Sequence, residues 1–322
     1  MSFCAILRGG FPIDICQPAH YKTLLTIERE SSSGSFAVGG TIKLITNIES
    51  MQEEANRLLE AGKTIVLVPT MGFLHEGHLA LMREGRKHGD VLTISIFVNP
   101  TQFGQNEDFN TYPRDLKRDM NLAESVGVDI VFAPTAEAMY EKGYQTYVNL
   151  EVLPRYLCGI SRPGHFRGVA TVVTKLFNIV KPRVAIFGEK DYQQLVIIRR
   201  MVKDLNFDIR IIGVPTVREA DGLATSSRNT YLSQEERDSA LCLYQSLQLA
   251  AEKIARGTRN ADELIDAASR LIRSHPDTRI DYVAFCDPET LENVERIDRP
   301  TLMALAVWVG KTRLIDNAVL KP

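Results

Sequence analysis

From residue 41 to residue 215 the chain repeats one pattern: a short apolar, β-branched run, a polar loop bearing glycine or proline, then apolar positions at helical spacing. The runs fall at 64–68, 91–98, 130–132, 184–187 and 209–214. Helical patterns cover 48–60 with Gly62 as C-cap, follow Tyr112-Pro113-Arg114 up to Ser125, span 169–180, and end near Leu205. Strands joined by helical crossovers pair in parallel, and a parallel sheet must be covered on both faces. The pattern therefore predicts an α/β fold with a doubly wound parallel sheet. Pro69 cannot donate to a ladder and marks the end of the run at 64–68, and Gln145 to Leu150 reads as an edge strand.

After residue 215 the order changes to two helices, roughly 234–256 and 260–274, and then three strands near 280–286, 302–309 and 312–319. This predicts a second, smaller α+β domain. A prior of roughly 150 residues per domain fits two domains in 322 residues, expected here as 41–216 and 217–322. Residues 1–40 fall outside that plan. Ser31-Ser32-Ser33-Gly34-Ser35 is linker composition, there is no apolar stretch of a signal peptide, and Asp14, Glu28 and Glu30 argue against a transit peptide. A disordered, dispensable extension is expected there, left by cloning or by an upstream start.

A net charge of -2 argues against a general nucleic-acid or membrane-surface binder, so any anion must be held by local Lys, Arg, His and backbone amides. The five cysteines are scattered without Cys-x-x-Cys spacing, which suits free thiols in a reducing cytoplasm. No apolar run approaches the roughly eighteen residues of a membrane span.

The chemistry gathers at strand ends. After the run at 64–68 come Met71-Gly72-Phe73-Leu74-His75-Glu76-Gly77-His78 and then a helical pattern. Strand, glycine turn and helix start form a phosphate-receiving geometry, and histidines three apart at a helix start can face one ligand. A zinc-protease helix needs histidines four apart, and there is no Walker-type loop. Asn99 and Gln102 follow the run at 91–98, where open α/β sheets bind ligands, although Asn-Pro is also ordinary turn chemistry. Arg162-Pro163-Gly164-His165-Phe166-Arg167-Gly168 is a glycine-bracketed basic loop, or a solvated one. Gly188-Glu189-Lys190-Asp191-Tyr192-Gln193-Gln194 repeats the strand, glycine, polar loop and helix order with a lysine that can reach a phosphate. Thr225-Ser226-Ser227-Arg228-Asn229 can wrap a polyphosphate, or simply precede a helix capped by Ser233.

Taken together, these residues resemble a known family. Pro69-Thr70-Met71-Gly72 with His75-x-Gly-His78 resembles the HIGH signature of nucleotidyltransferases, and Ser226-Ser227-Arg228-Asn229 resembles the counterpart of their KMSKS loop. With Phe97-Val98-Asn99-Pro100-x-Gln102-Phe103, the Gly164–Gly168 loop and the Gly188–Gln194 loop, the stretch from about Thr41 to Leu320 is similar to the pantoate–β-alanine ligase family. The resemblance implies a Rossmann-like domain with a smaller C-terminal lid domain, a homodimer, and condensation of ATP, pantoate and β-alanine to pantothenate, AMP and pyrophosphate. It implies that Met71–His78, Gly188–Asp191, Val217 and Thr225–Arg228 hold ATP. Gln102 and Gln194, with Asn99, Arg162 and His165 beside them, are implied for pantoate and β-alanine. His78 takes the position usually given the acid role, with His75, Lys190 and Arg228 as catalytic partners. The family often has acidic residues binding Mg²⁺ in the helix after Tyr-Pro-Arg; here Asp119 is present but its neighbour is Arg118, so Mg²⁺ is expected mainly on the ATP phosphates.

The residues themselves support that chemistry. A carboxylate will not accept an amine at pH 7 without activation, and attack on the α-phosphate of ATP makes a mixed anhydride. The charge that grows on phosphoryl and leaving-group oxygens would meet His75, His78, Lys190 and Arg228. A nucleotidyltransferase that stops at the adenylate would share the phosphate loops but need not have Gln102 and Gln194. A non-catalytic nucleotide-binding module would not need both histidines, Lys190 and Arg228 together.

Overall fold

Six strands build the parallel sheet that the alternation predicts: β1 (Lys43–Ile45), β2 (Ile65–Thr70), β3 (Val91–Ile96), β4 (Ile130–Phe132), β5 (Val184–Gly188) and β6 (Arg210–Val214), in the order β1-β4-β3-β2-β5-β6. This computed structural model describes residues 42–105 and 107–322; the expected extension at 1–40 lies outside them. β1 escaped the sequence reading because three residues carry too little pattern to register.

The crossovers are α1 (Ile48–Glu60), α2 (Glu76–Arg86), α3 (Leu116–Ser125), the one-turn α4 (Ala136–Met139) and α5 (Cys158–Ser161), α6 (His165–Val180) and α7 (Tyr192–Asp204). They cover both faces of the sheet. One core packs Phe132, Phe177 and Phe187 with α1 and α6, and the other packs Val68, Met82 and Ile94 with α2. β2 pairs with β3 on one side and β5 on the other. The strand order reverses there, so the loops after β2 and β5 border the crevice in which such sheets hold ligands.

Two local expectations are corrected. Pro69 does not end its strand: β2 continues to Thr70, and Pro69 stays in register with Ser95 of β3. The Thr70 carbonyl faces β3, where it accepts from Phe97 N, so the missing donor of Pro69 faces the β5 side. Pairing on that side has already stopped at Leu67, and no ladder bond is lost. Gln145 to Leu150 is not a strand either. The Val148 amide donates instead to the Thr171 hydroxyl of α6 at 2.9 Å, which takes the place of a ladder partner.

Beyond β6 come α8 (Gln234–Ala240), α9 (Cys242–Ala255) and α10 (Ala261–Arg273), followed by β7 (Thr278–Cys286), β8 (Thr301–Val309) and β9 (Thr312–Leu320). The helix expected over 234–256 is thus interrupted at Leu241, which keeps right-handed helical dihedrals. The three strands form a separate antiparallel sheet in the order β7-β8-β9, with a core of Leu247, Ile272, Phe285 and Leu305 beneath the helices. Apolar contact continues between the two sheets, where Leu157, Phe166 and Ile197 pack with Leu291, Leu302 and Ala304.

Candidate active site

The loop after β2 is held in shape from below. Gly72 and Phe73 both take left-handed backbone, φ 80° and 50°. A Cβ on Gly72 would lie 2.9 Å from Asp119 Oδ2 and from Ile96, so only glycine fits. The Phe73 and Leu74 amides donate to the two carboxylate oxygens of Asp119, each at 2.7 Å. Asp119 sits on the first turn of α3 and is 1% exposed. Burial raises its pKa, and the two amides and Arg118 oppose that shift. Both oxygens of Asp119, the one acidic residue the resemblance offers to Mg²⁺ in this helix, thus each accept one hydrogen bond from the loop, and Asp119 lines neither cavity described below. Among the described residues no cluster of three His, Cys, Asp or Glu could hold a metal ion.

The turn delivers His75 to the N-cap of α2 and His78 to its third position, with ring centroids 4.0 Å apart. The spacing of three therefore does put both rings on one side of the helix start. A Cβ at Gly77 would come within 2.9 Å of the His75 ring, so a side chain there would displace it. The His75 amide donates to His78 Nδ1 at 3.3 Å, which leaves the His78 proton on Nε2. Burial, reinforced by Lys190, pushes His75 down to about 4. Burial, His75 and Lys190 also hold His78 well below its ordinary value. Both rings are neutral at pH 7: they can offer N–H donors but no full positive charge. His75 Nδ1 is buried with no hydrogen-bond partner among the described residues.

Lys190 arrives on the turn after β5, within 3.6 Å of Asp191. Asn317 of β9 fixes that turn by donating to the Glu189 and Lys190 carbonyls at 3.0 and 2.8 Å. Of the adjacent glutamines, Gln193 is buried and spent on the backbone of Leu153, Tyr156 and Cys158, while Gln194 lines the cavity. Thr225 donates its amide to the Val217 carbonyl, and Ser227 donates its hydroxyl to the Phe73 carbonyl. This ties the second phosphate loop to the first.

The arginines already have partners. Arg228 makes two bonds to Asp108, at 2.8 and 3.0 Å, and Arg162 makes two to Glu107, at 2.5 and 2.7 Å. Burial would raise Glu107, but the Arg162 guanidinium outweighs it and holds the carboxyl below the usual range. Arg162 also faces His165 Nε2 at 3.1 Å, and His165 Nδ1 faces the Gln102 carbonyl at 2.8 Å. Burial, with Arg162 beside it, pushes His165 down to about 4.

A cavity of about 230 Å³ brings together Met71, His75, Gly77, His78, Asn99, Gln102, Gly188, Lys190, Gln194, Val217 and Thr225 to Arg228. Arg162, His165 and Asp191 line it too, and it shares Gln102, Lys190 and Arg228 with a wider cleft of about 850 Å³ reaching the C-terminal sheet. Gly72, Phe73, Leu74, Glu76 and Glu189 do not line either space. Leu74 is core, and Glu76 turns outward to pair with Arg83. The sequence reading missed Glu107, Asp108 and Asn317. An acidic pair in a loop and a lone Asn in a strand carry no local signal of what they meet.

Comparisons with known proteins concern the chain as a whole. A family model described as pantoate–β-alanine ligase matches residues 43–319. A pantothenate synthetase of Desulfatibacillum aliphaticivorans is 58% identical over 281 residues, covering 87% of this chain and 100% of the relative. The solved pantothenate synthetase of Thermus thermophilus superposes with a TM-score of 0.83 at 44% identity, over 87% of this chain and 100% of that one. A pantoate–β-alanine ligase of Francisella tularensis, solved in complex with β-γ ATP and β-alanine, gives a TM-score of 0.71 at 34% identity, covering 86% of this chain and 97% of that one.

Proposed function

The chain belongs to the pantoate–β-alanine ligase family, and from that premise we propose how its cavity divides the work of joining pantoate to β-alanine with ATP. The reaction is the ATP-dependent condensation of the two to pantothenate. The observation that carries the assignment is the convergence of two neutral histidines, Lys190, Arg228 and two glutamines on one cavity at the reversal of the sheet.

ATP lies along the His75–His78 helix start, the Lys190 turn and the Thr225–Arg228 loop. The first turn of α2 offers backbone donors and the positive end of the helix dipole to the α-phosphate. Pantoate binds at Gln102 and Gln194, with its carboxylate directed at that phosphorus. As the carboxylate oxygen bonds to phosphorus and pyrophosphate departs, negative charge builds on the phosphoryl oxygens. His78 donates through Nε2 and needs no proton from solvent, because it is neutral beforehand. Lys190 and Arg228 take the departing phosphates. Asp119 acts on this step only through the loop it holds. Mg²⁺ would enter on the nucleotide phosphates, and no protein ligand for it is assigned.

The division of the chain near residue 216 into a nucleotide- and pantoate-binding part and a lid, and assembly as a cytoplasmic homodimer, belong to the same proposal. Among the described residues no helix is long and apolar enough to cross a membrane. The route through pantoyl adenylate is tested with pantoate carrying heavy oxygen in its carboxylate. One labelled oxygen is expected in AMP. Label in inorganic phosphate, with ADP as the nucleotide product, would overturn the adenylate route.

A further inference from the structure

The substrate-facing end of Gln102 is selected by groups outside the cavity. Asn99 follows β3, is 1% exposed, and caps the short turn Pro100–Gln102. Neighbours of fixed polarity settle its amide. The atom 3.1 Å from the Gly168 carbonyl must be nitrogen, since a carbonyl only accepts. The atom 3.4 Å from the Thr101 N–H must be oxygen, since an amide N–H only donates. That oxygen also accepts from the hydroxyls of Thr101 at 3.0 Å and Tyr140 at 2.8 Å. The second N–H of Asn99 therefore points at Gln102, whose atom at 3.1 Å must be Oε1. Gln102 Nε2 is left facing the Met71 sulfur at 2.9 Å, on the cavity wall. A thioether is a weak acceptor, so a better one can replace it.

We propose that Tyr140 is a positioning residue for the acid substrate: its hydroxyl reinforces, through Asn99, the orientation that the Gly168 carbonyl and the Thr101 N–H set, and so helps hold Gln102 as a donor that takes an oxygen of the pantoate carboxylate or hydroxyl. The inference rests on the reading of Gln102 as a pantoate residue. Tyr140 follows α4, on the connection beyond β4, and its hydroxyl reaches the neighbouring strand's loop. The edge of Tyr144 at 5.0 Å and the Lys175 ammonium 5.6 Å over the face hold its ring. Burial pushes the Tyr140 phenol up to about 12, so it keeps its proton and donates throughout the working pH range. Gly168 completes the frame: a Cβ there would lie 2.3 Å from the Thr101 carbonyl, so only glycine lets α6 bring its own carbonyl to Asn99.

The test compares KM for pantoate and for ATP, with melting temperatures, in Gln102→Ala, Gln102→Glu and Tyr140→Phe. Gln102→Ala should raise the pantoate KM. Gln102→Glu should raise it further, because its second oxygen would meet the substrate carboxylate as an anion. Tyr140→Phe keeps the ring and should raise the pantoate KM about three- to tenfold, the effect of one hydrogen bond, with the ATP KM within about twofold and melting unchanged. Wild-type pantoate binding in Gln102→Glu would show that Gln102 presents its oxygen and would overturn the relay. So would Tyr140→Phe with an unchanged pantoate KM, or with both KM values raised together. An unchanged pantoate KM in Gln102→Ala is a separate failure, that of the reading of Gln102 itself.

Discussion

The two banks of the cavity are built on opposite plans. On the histidine bank the loop after β2 is pinned by Asp119, and the rings of His75 and His78 are buried and neutral with no carboxylate partner. On the arginine bank Arg162 and Arg228 are each already paired, through two hydrogen bonds, with a carboxylate of one loop, Glu107 or Asp108. The first bank is ready for charge that appears only during reaction. The second meets a phosphate with cations that a carboxylate already shares, so part of its contribution is an exchange and only the remaining N–H groups make a fresh contact. A neutral donor beside the reacting phosphorus and a cation beside the leaving group match where charge is small and where it is large.

The sharpest break in that comparison is loss of a cation. Lys190→Ala and Arg228→Ala should each slow adenylation by on the order of 10²–10³, the usual effect of removing a preorganised donor. Both residues sit on polar turns, so melting should barely move. Single-turnover pyrophosphate release measures this, and near-normal rates in both variants would remove the division into banks.

Next is the pin. Asp119→Ala leaves the Phe73 and Leu74 amides without acceptors, at about 1–3 kcal/mol for each buried donor. Melting temperature should fall clearly and adenylation at least about tenfold, as expected when a positioning contact is lost. Excess Mg²⁺ should not restore it. Recovery of rate in a Mg²⁺ titration would instead return Asp119 to the metal.

The pH dependence tests the histidine bank. On that bank His75 lies at about 4 in the folded chain against about 6.5 unfolded, with His78 also held well below its ordinary value, and His165 beside Arg162 on the other bank lies at about 4 as well. Between these values the unfolded chain binds more protons, so stability should be full above about pH 6.5 and fall as pH drops toward 4. The slope is about 1.4 kcal/mol per pH unit for each group. Denaturant midpoints across pH 4–7.5 check it, and a flat profile would mean that the rings are not held neutral.

The smallest effect concerns the exchange at Arg228. Asp108→Ala removes the competing carboxylate of a partly exposed pair worth about 0.5–1 kcal/mol, so ATP should bind roughly two- to fivefold more tightly. Weaker ATP binding would show that Asp108 aims Arg228 instead of competing for it.

Much of this was legible in the chain. The strand runs, the glycine turns and the histidines at spacing three sit where they were expected, and Gln102, Gln194, Lys190 and Arg228 share one cavity. What was misread turned on neighbours. Pro69 stays in a strand because of where β5 stops pairing, and Gln145–Leu150 is no strand because Thr171 takes its amide. The sequence places His75 and His78 where charge grows but does not say whether they meet it as cations; burial leaves them as neutral donors.

By itself the sequence determined the period of each element, the order of strands and helices, and hence the parallel sheet and the loops at its carboxyl edge. These are local properties, written in spacings of two and of three to four residues. The tertiary structure alone decided which groups meet: Asp119 with amides 46 and 45 residues away, Asn99 with Tyr140 at 41, Arg228 with Asp108 at 120, and Asn317 with the Lys190 carbonyl at 127. No short-range pattern encodes such pairs, because they exist only once the crossovers have brought separate loops to one edge of one sheet. The same closure sets the burial that keeps the histidines neutral, and with it the difference between the two banks.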